Sequence, residues 1–352
     1  MKKLTLSSIL ILALFCLKIN AQYNFTNYTN KDNVISLKVE GDSIWIGTTG
    51  GLVLRNIDGT LIDAFAVEDG LASNFINSIF IDFDDNRWVT GERQDVSNDI
   101  NGWSVFDYWS GFNRTTKGTY VYGQFSEITQ DQDSNMWFGG FDCLFKLQKD
   151  DGLYESHSDS FEIYKITAMA VDANNNIWVG QIGDGYRGPY MYDGVKWTDF
   201  TDSSGLLSSR INSIKVKDDI VWIATQSGLT KYEGEKFTTY TTDSGLVYNN
   251  ITDIDFENDT LWVTTTQGVS KFNGTSWTSY NHGNGLPFIW SNTVAVDSNG
   301  IKWFATSVGL YSFDNNTWLK YDISDDLFSN AIRDVEIDIN GNKWFINTII
   351  LL

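Results

Sequence analysis

A tryptophan recurs along this chain at Trp45, Trp88, Trp137, Trp178, Trp222, Trp262, Trp303 and Trp344, at spacings of 43, 49, 41, 44, 40, 41 and 41 residues. A fixed period of this length marks a repeat architecture, in which each copy is one supersecondary unit that buries its apolar face only against its neighbours. The flanks repeat too, as in Ile44-Trp-Ile-Gly-Thr48, Val221-Trp-Ile-Ala-Thr225 and Leu261-Trp-Val-Thr-Thr265. One representative copy reads as four short strands over 211–217, 221–225, 229–232 and 236–241, apolar or alternating and separated by turn residues. Four strands in about 41 residues leave no room for a helix. Radial blades are the architecture that closes this many four-stranded sheets while protecting their edges, so the sequence predicts an all-β fold, a β-propeller.

The two ends bear on closure. Phe25-Thr-Asn-Tyr28 resembles the outer strands that begin at Trp197, Trp277 and Trp318, yet it precedes the first inner strand. The eighth copy supplies an inner strand (332–338), a second (343–348) and a short third (349–352), then stops. The expectation is eight four-stranded blades, with the N-terminal strand completing the last. A seven-bladed ring with a leftover copy, or a piece of a longer protein, is the alternative.

Lys2 and Lys3 precede an apolar run over 4–17 and a short polar end, which reads as a secretory signal over 1–21 with cleavage after Ala21, leaving the propeller over 22–352. That run is too short to span a bilayer, and no later stretch approaches the ~20 apolar residues a spanning helix needs. Cys16 follows Phe15 where a lipoprotein site wants a small residue, so no lipid anchor is expected. Only Cys143 remains after processing, and no internal disulfide is possible. Cys143 aligns with the start of a third strand and is expected to be a buried packing residue. Removing the signal moves the formal charge from −20 to about −23. Such a surface repels phosphate backbones and anionic lipid, which argues against nucleic acid and membrane insertion.

Several copies carry a longer consensus, seen in Asp243-Ser-Gly-Leu246 followed by Asn250-Ile-Thr-Asp-Ile254, and in Val296-Asp-Ser-Asn-Gly-Ile-Lys-Trp303 followed by Gly309-Leu-Tyr-Ser-Phe313. This resembles the two-component regulator propeller repeat, across essentially all of the mature chain. The resemblance implies a sensor-type propeller that binds carbohydrate or a related ligand, as in the periplasmic half of hybrid histidine kinases. The chain departs from that pattern in having no spanning segment, immunoglobulin-like linker or kinase after the propeller.

The first hairpins are rich in Asp and Asn, for example Asp82-Phe-Asp-Asp-Asn86 and Asp172-Ala-Asn-Asn-Asn176. Such residues suit calcium, but they also cap their own turns, and repetition in most copies favours the turn role. No metal or other cofactor is expected. The anchor tryptophans, in phase with the core, are packing groups.

Residues that break the repeat are the functional candidates. Trp103, Trp109 and Trp290 fall outside the repeated positions, and Trp290 stands just before an inner strand, aligned with Asn33, Phe75, Lys165, Arg210 and Asn250. Two copies enlarge the loop between second and third strands, by 92–101 and by 182–188, the latter containing Tyr186 and Arg187. Both insertions fall on one face, and insertions that break a repeat mark a working face. The polar beginnings of the inner strands, Asn77, Asn212, Thr252, Asn292 and Arg333, with Glu127, Asp253 and Asp334 one position on, converge there. The expected site for a small polar ligand, a glycan or a protein partner is therefore Trp290, Tyr186, Arg187, Arg210, Asn212, Asp253, Asn292, Arg333, Asp334 and His282. The competing reading is a lyase or hydrolase with His282 as base, or with Asp253 and Asp334 as a carboxylate pair.

Overall fold

The computed structural model describes residues 33–347 apart from 57, 59, 70, 72, 93–102, 108–110, 116–123, 150–153, 183–187, 201–204, 285, 288, 289, 326, 328 and 339. The described residues contain β-strands and four single-turn 3₁₀ segments, and no α-helix. The inner strands are Val34–Glu40, Phe75–Ile81, Gln124–Gln130, Lys165–Val171, Ile211–Lys217, Ile251–Glu257, Ser291–Val296 and Ile332–Ile337. Each opens a sheet, numbered here as blades 1 to 8 in chain order. Blades 1 to 7 are four-stranded antiparallel meanders, blades 3 and 4 being joined by one bridge between Phe141 and Lys165. Blade 8 shows its inner strand and its second strand, Lys343–Asn347.

Each inner strand neighbours the next, and the eighth lies against the first. Glu336 accepts from Val39 N at 3.4 Å and pairs with Lys38 at 3.5 Å, while Asn340 Nδ2 donates to Asp42 at 3.2 Å. The expected pairing of 25–28 with the last blade, and the short strand at 349–352, lie outside the described residues.

The core sits between successive sheets. Trp222 of blade 5, for instance, shares one apolar cluster with Ile251, Ile254 and Leu261 of blade 6. Every second strand carries the repeat tryptophan, and in six blades its ring faces a ring at the end of the outer strand. These partners are Phe65, His157, Phe200, Tyr240, Tyr280 and Tyr321. The glycine two residues after the tryptophan lets the next blade close in, since a Cβ on Gly180 would lie 2.4 Å from the Ile211 side chain.

The Asp-rich hairpins are capped from within, as the turn reading expects. Asp82 Oδ1 accepts from Asp84 N at 2.9 Å and Asn86 N at 2.8 Å, and its Oδ2 accepts from Trp88 Nε1 at 2.7 Å. Trp137, Trp178, Trp303 and Trp344 repeat this bond with Asp131, Asp172, Asp297 and Asp338. Cations from the following blade reinforce some of these anchors. The fully buried Lys302 reaches Glu257, the acceptor of Trp262 Nε1, at 3.0 Å and lies 5.0 Å from the Trp262 ring centre. Arg87 bonds Glu40 and Lys343 bonds Asp297 in the same way. Cys143 is buried, and burial with the nearby Asp142 charge pushes its thiol up to about 12, as an inert packing residue requires.

Candidate functional site

Each inner strand contains a β-bulge near its start, where one residue falls out of register with the second strand. A bulge re-aims a side chain. Here it turns the side chain to the next blade, where it donates to the carbonyl just before that blade's bulge. Asn77 bonds Phe125 O at 3.1 Å, Ser126 bonds Ile166 O at 2.9 Å and Thr167 bonds Ile211 O at 2.6 Å. Asn212 bonds Ile251 O, Thr252 bonds Ser291 O at 2.7 Å and Asn292 bonds Ile332 O at 2.7 Å. The polar strand beginnings are thus blade-to-blade latches. Asn212 and Asn292, expected at a ligand, have their amide donors engaged in holding the ring.

One and three residues further on, carboxylates cover the backbone edge of the next inner strand. Asp253 accepts from Val294 N at 3.3 Å, and Asp255 from Val296 N at 3.0 Å. Glu336 does the same for Val39 N across the last junction. Inner strands leave a row of unpaired N–H groups, and these carboxylates satisfy part of it. Burial pushes Asp253 up to about 6, against the pull of Lys215, and raises Asp255 in the same way. Glu127 of blade 3, aligned with Asp253, is enclosed by protein yet keeps some solvent contact along the channel. Burial pushes it up to about 8, although the charges of Lys215 and Lys165 oppose the shift.

The remaining described residues of the expected site belong to blades 5, 7 and 8 and to the loops that enter them. Asp334 accepts from Val335 N at 2.9 Å, and the exposed Arg333 occupies the bulge of blade 8 without making a latch. Arg210 stands just before the inner strand of blade 5, its carbonyl accepting from Gln226 N at 3.3 Å. Trp290 is 51% exposed before the inner strand of blade 7. His282 is exposed in the 3₁₀ turn His282–Asn284, with no side-chain hydrogen bond to orient it as a base. Tyr186, Arg187, Trp109 and nearly all of the 92–101 insertion lie outside the described residues, and Trp103 opens the strand Trp103–Asp107.

A cavity lies elsewhere on the same face, between blades 3 and 4, beside a residue that departs from one of the repeat's hairpin closures. In blades 1, 5, 6 and 7 the second strand ends on Thr48, Thr225, Thr265 and Thr306. Their hydroxyls donate to the carbonyls of Gly51, Gly228, Gly268 and Gly309 at 2.9, 2.7, 2.9 and 2.5 Å. Those glycines adopt φ from +136° to +147°, which closes a tight hairpin that a Cβ would obstruct. Blade 4 has Gln181 in this register, fully buried. Its amide instead grips the incoming loop, donating to Glu162 O at 3.0 Å and accepting from Tyr164 N at 2.9 Å.

The cavity beside this loop has a volume of about 450 Å³ and is lined by Ser160, Phe161, Glu162, Tyr190, Trp197 and Asp199. Phe161 stacks on Tyr190 at 3.8 Å and meets Trp197 edge-on at 5.0 Å. Trp197 Nε1 donates to Nδ1 of the buried His157 at 3.2 Å, which fixes the imidazole proton on Nε2, 3.6 Å from Glu155. Burial lowers the pKa of His157, with Glu155 opposing and Lys146 adding to the shift. Volume, rings and a few rim polar groups are what a small-ligand site requires. Sequence reasoning passed over these residues because Trp197 holds a repeated outer-strand position. The signals were Gln181 in the threonine slot and His157 in the slot of Phe65, Tyr240 and Tyr280.

No family model matches the chain, and no curated protein matches it. Solved structures do. The bacterial surface component PorZ of the Porphyromonas gingivalis type-IX secretion system is 15% identical with a TM-score of 0.58, over 90% of this chain and 52% of that one. A streptogramin B lyase is 16% identical with a TM-score of 0.56, over 77% of this chain and 90% of the lyase. The extracellular domain of a one-component system from B. thetaiotaomicron is 16% identical with a TM-score of 0.44, over 93% of this chain and 54% of that domain. This chain therefore spans about half the length of PorZ and of that domain. At these identities the likeness is one of fold, that of a β-propeller.

Proposed function

We propose that this chain is an exported, non-enzymatic propeller of the sensor or binding type, which takes a small polar ligand in the cavity between blades 3 and 4. The observation that carries the reading is the replacement of the threonine closure by Gln181, which grips the loop at 162–164 beside an aromatic cavity. Rings packed into a preformed wall lose little freedom on binding, and rim carboxylates accept hydrogen bonds from a polar ligand. A non-enzymatic role is favoured because Asp253 and Asp334 are engaged on backbone N–H groups and His282 lacks an orienting partner. PorZ, similar in fold, is itself a surface component, which accords with the secretory-type N-terminus.

Thermal shift against a panel of mono- and oligosaccharides and amines tests the reading. At least one class is expected to raise the melting temperature of the wild type and to leave Phe161→Ala unmoved. A response that survives Phe161→Ala but disappears in Trp290→Ala would move the site to the channel mouth, and product release abolished by His282→Ala would establish an enzyme.

A further inference from the structure

We propose that the central channel carries a second site, on the wall formed by blades 3, 4 and 5, which takes a small organic carboxylate. It stands apart from the cavity between blades 3 and 4 and does not depend on it.

The inner strands line the channel of a propeller, and the repeat tryptophan marks equivalent positions on them. Opposite that tryptophan stand Thr129, Ala170 and Lys215 in blades 3, 4 and 5, and two positions earlier Glu127, Ala168 and Ser213. The latches from Ser126 to Ile166 O and from Thr167 to Ile211 O lie one residue before and hold the three strands side by side.

On the wall of blades 6, 8 and 1 the equivalent groups are engaged. Asp253 and Asp255 accept from Val294 N and Val296 N, and Glu336 accepts from Val39 N and pairs with Lys38. On the wall of blades 3 to 5 they are not. Among the described residues the side chains of Glu127, Thr129, Ser213 and Lys215 make no hydrogen bond and no ion pair. Lys302 closes on Glu257 at 3.0 Å and Lys343 on Asp297 at 3.1 Å, whereas the exposed Lys215 acts on Glu127, Asp253 and Asp255 and closes on none. Its charge, carried on blade 5, is felt on blade 3 across blade 4, whose alanines put nothing beyond Cβ into the intervening space.

An ammonium, two hydroxyls and, below about pH 8, a protonated carboxyl all offer hydrogens on this wall, so the group they match is one rich in acceptors. A carboxylate is such a group, and it also meets the unpaired charge of Lys215. Asp253 and Asp255 on the next blade, in a chain of formal charge −20, disfavour a multiply charged anion. Around Glu127, blade 4 supplies the charge of Lys165 and blade 5 that of Lys215, while blade 2 has Ser78 and Phe80 at the matching positions and no charge there.

Ligand-observed NMR titrations of glucuronate and gluconate at neutral pH and low salt, with glucose and sulfate as controls, test the site. Both carboxylates are expected to bind about tenfold more tightly than either control, and Lys215→Met, a change at an exposed residue, to abolish that margin. Their affinity for the wild type is expected to fall about tenfold from pH 7 to pH 9 as Glu127 ionises, and Glu127→Gln, which keeps a donor there at every pH, to remove the fall. A fall that persists in Glu127→Gln overturns the share given to that residue. Glucose or sulfate binding as tightly as the carboxylates, or no binding of either acid, overturns the proposal. Carboxylate binding kept in Lys215→Met and lost in Phe161→Ala places the acid in the cavity and overturns the channel site alone.

Discussion

Blades 5, 6 and 7 and the junction of blades 3 and 4 are built from the same repeat and use it differently. In the first region each tryptophan stacks on a tyrosine, each threonine closes a glycine hairpin, and the loop leucines Leu246, Leu286 and Leu327 fill the gap between blades. In the second, histidine replaces the tyrosine and glutamine the threonine. The regular arc shows what the repeat needs for stability. The junction shows that the slots around the core tryptophan tolerate polar groups such as His157 and Gln181, and an open cavity lies beside them.

The comparison breaks most visibly at the tryptophans. Trp262→Ala removes a fully buried ring that also anchors Glu257 and lies against Lys302, and is expected to cost about 3–5 kcal/mol in denaturant unfolding. Trp290→Ala, at an exposed loop residue, is expected to stay within about 0.5 kcal/mol. A comparable loss in both would show that the regular arc holds no special share of the stability.

Glu127→Gln probes the channel next. With a folded-state pKa of about 8 against the ordinary 4.5, the wild type binds more protons than its unfolded chain over that window. Its stability therefore falls as pH rises from 4.5 to 8. The glutamine variant is expected to be more stable by about 2 kcal/mol above that window and to match the wild type below it, discounting for solvent along the channel. Parallel melting-temperature profiles of the two proteins from acid to alkaline pH would remove the buried carboxyl from the account.

The smallest effect sharpens the junction itself. His157→Phe restores the aromatic of the regular blades but loses the bond from Trp197, at a cost of about 1 kcal/mol at neutral pH. Since burial lowers the pKa of His157, its contribution is fully present above the ordinary value of 6.5 and is lost as pH falls below it. The phenylalanine variant should lack that acid-side decline, measured as unfolding free energy between pH 7 and the acid limit of folding. An unchanged decline would assign it to other groups.

The ring was legible because the tryptophan period survives every local exception, and strand positions followed from it to within a residue or two. Asx capping of the hairpins was legible for the same reason, since turn chemistry is local. The inner-strand polar residues were harder. Asn212 and Asn292 look like ligand contacts when only their convergence is considered, and the bulge that sends them to the next blade leaves no mark in apolar periodicity. Beside the cavity, Gln181 holds the loop entering blade 4 through Glu162 and Tyr164, a contact whose sequence trace is a single residue just before the 182–188 insertion. His157 carries its signal as an interruption of an aromatic column, which shows only when the ends of the outer strands are aligned.

The latches also give the ring a mechanical character. Six of them run forward from blade 2 to blade 8, each blade holding the next by the same kind of bond. Blade 1 has Ile35 at its bulge and holds blade 2 from the next residue instead, Ser36 Oγ donating to Ile76 O at 3.5 Å, while blade 8 has Arg333 at its bulge and makes no such bond to blade 1 among the described residues. The molecule is thus a hoop with a clasp, fastened at blade 8 against blade 1 by the partly exposed contacts of Glu336 and Asn340. Under load or heat such a hoop is expected to part at the clasp first, on the far side from the junction of blades 3 and 4.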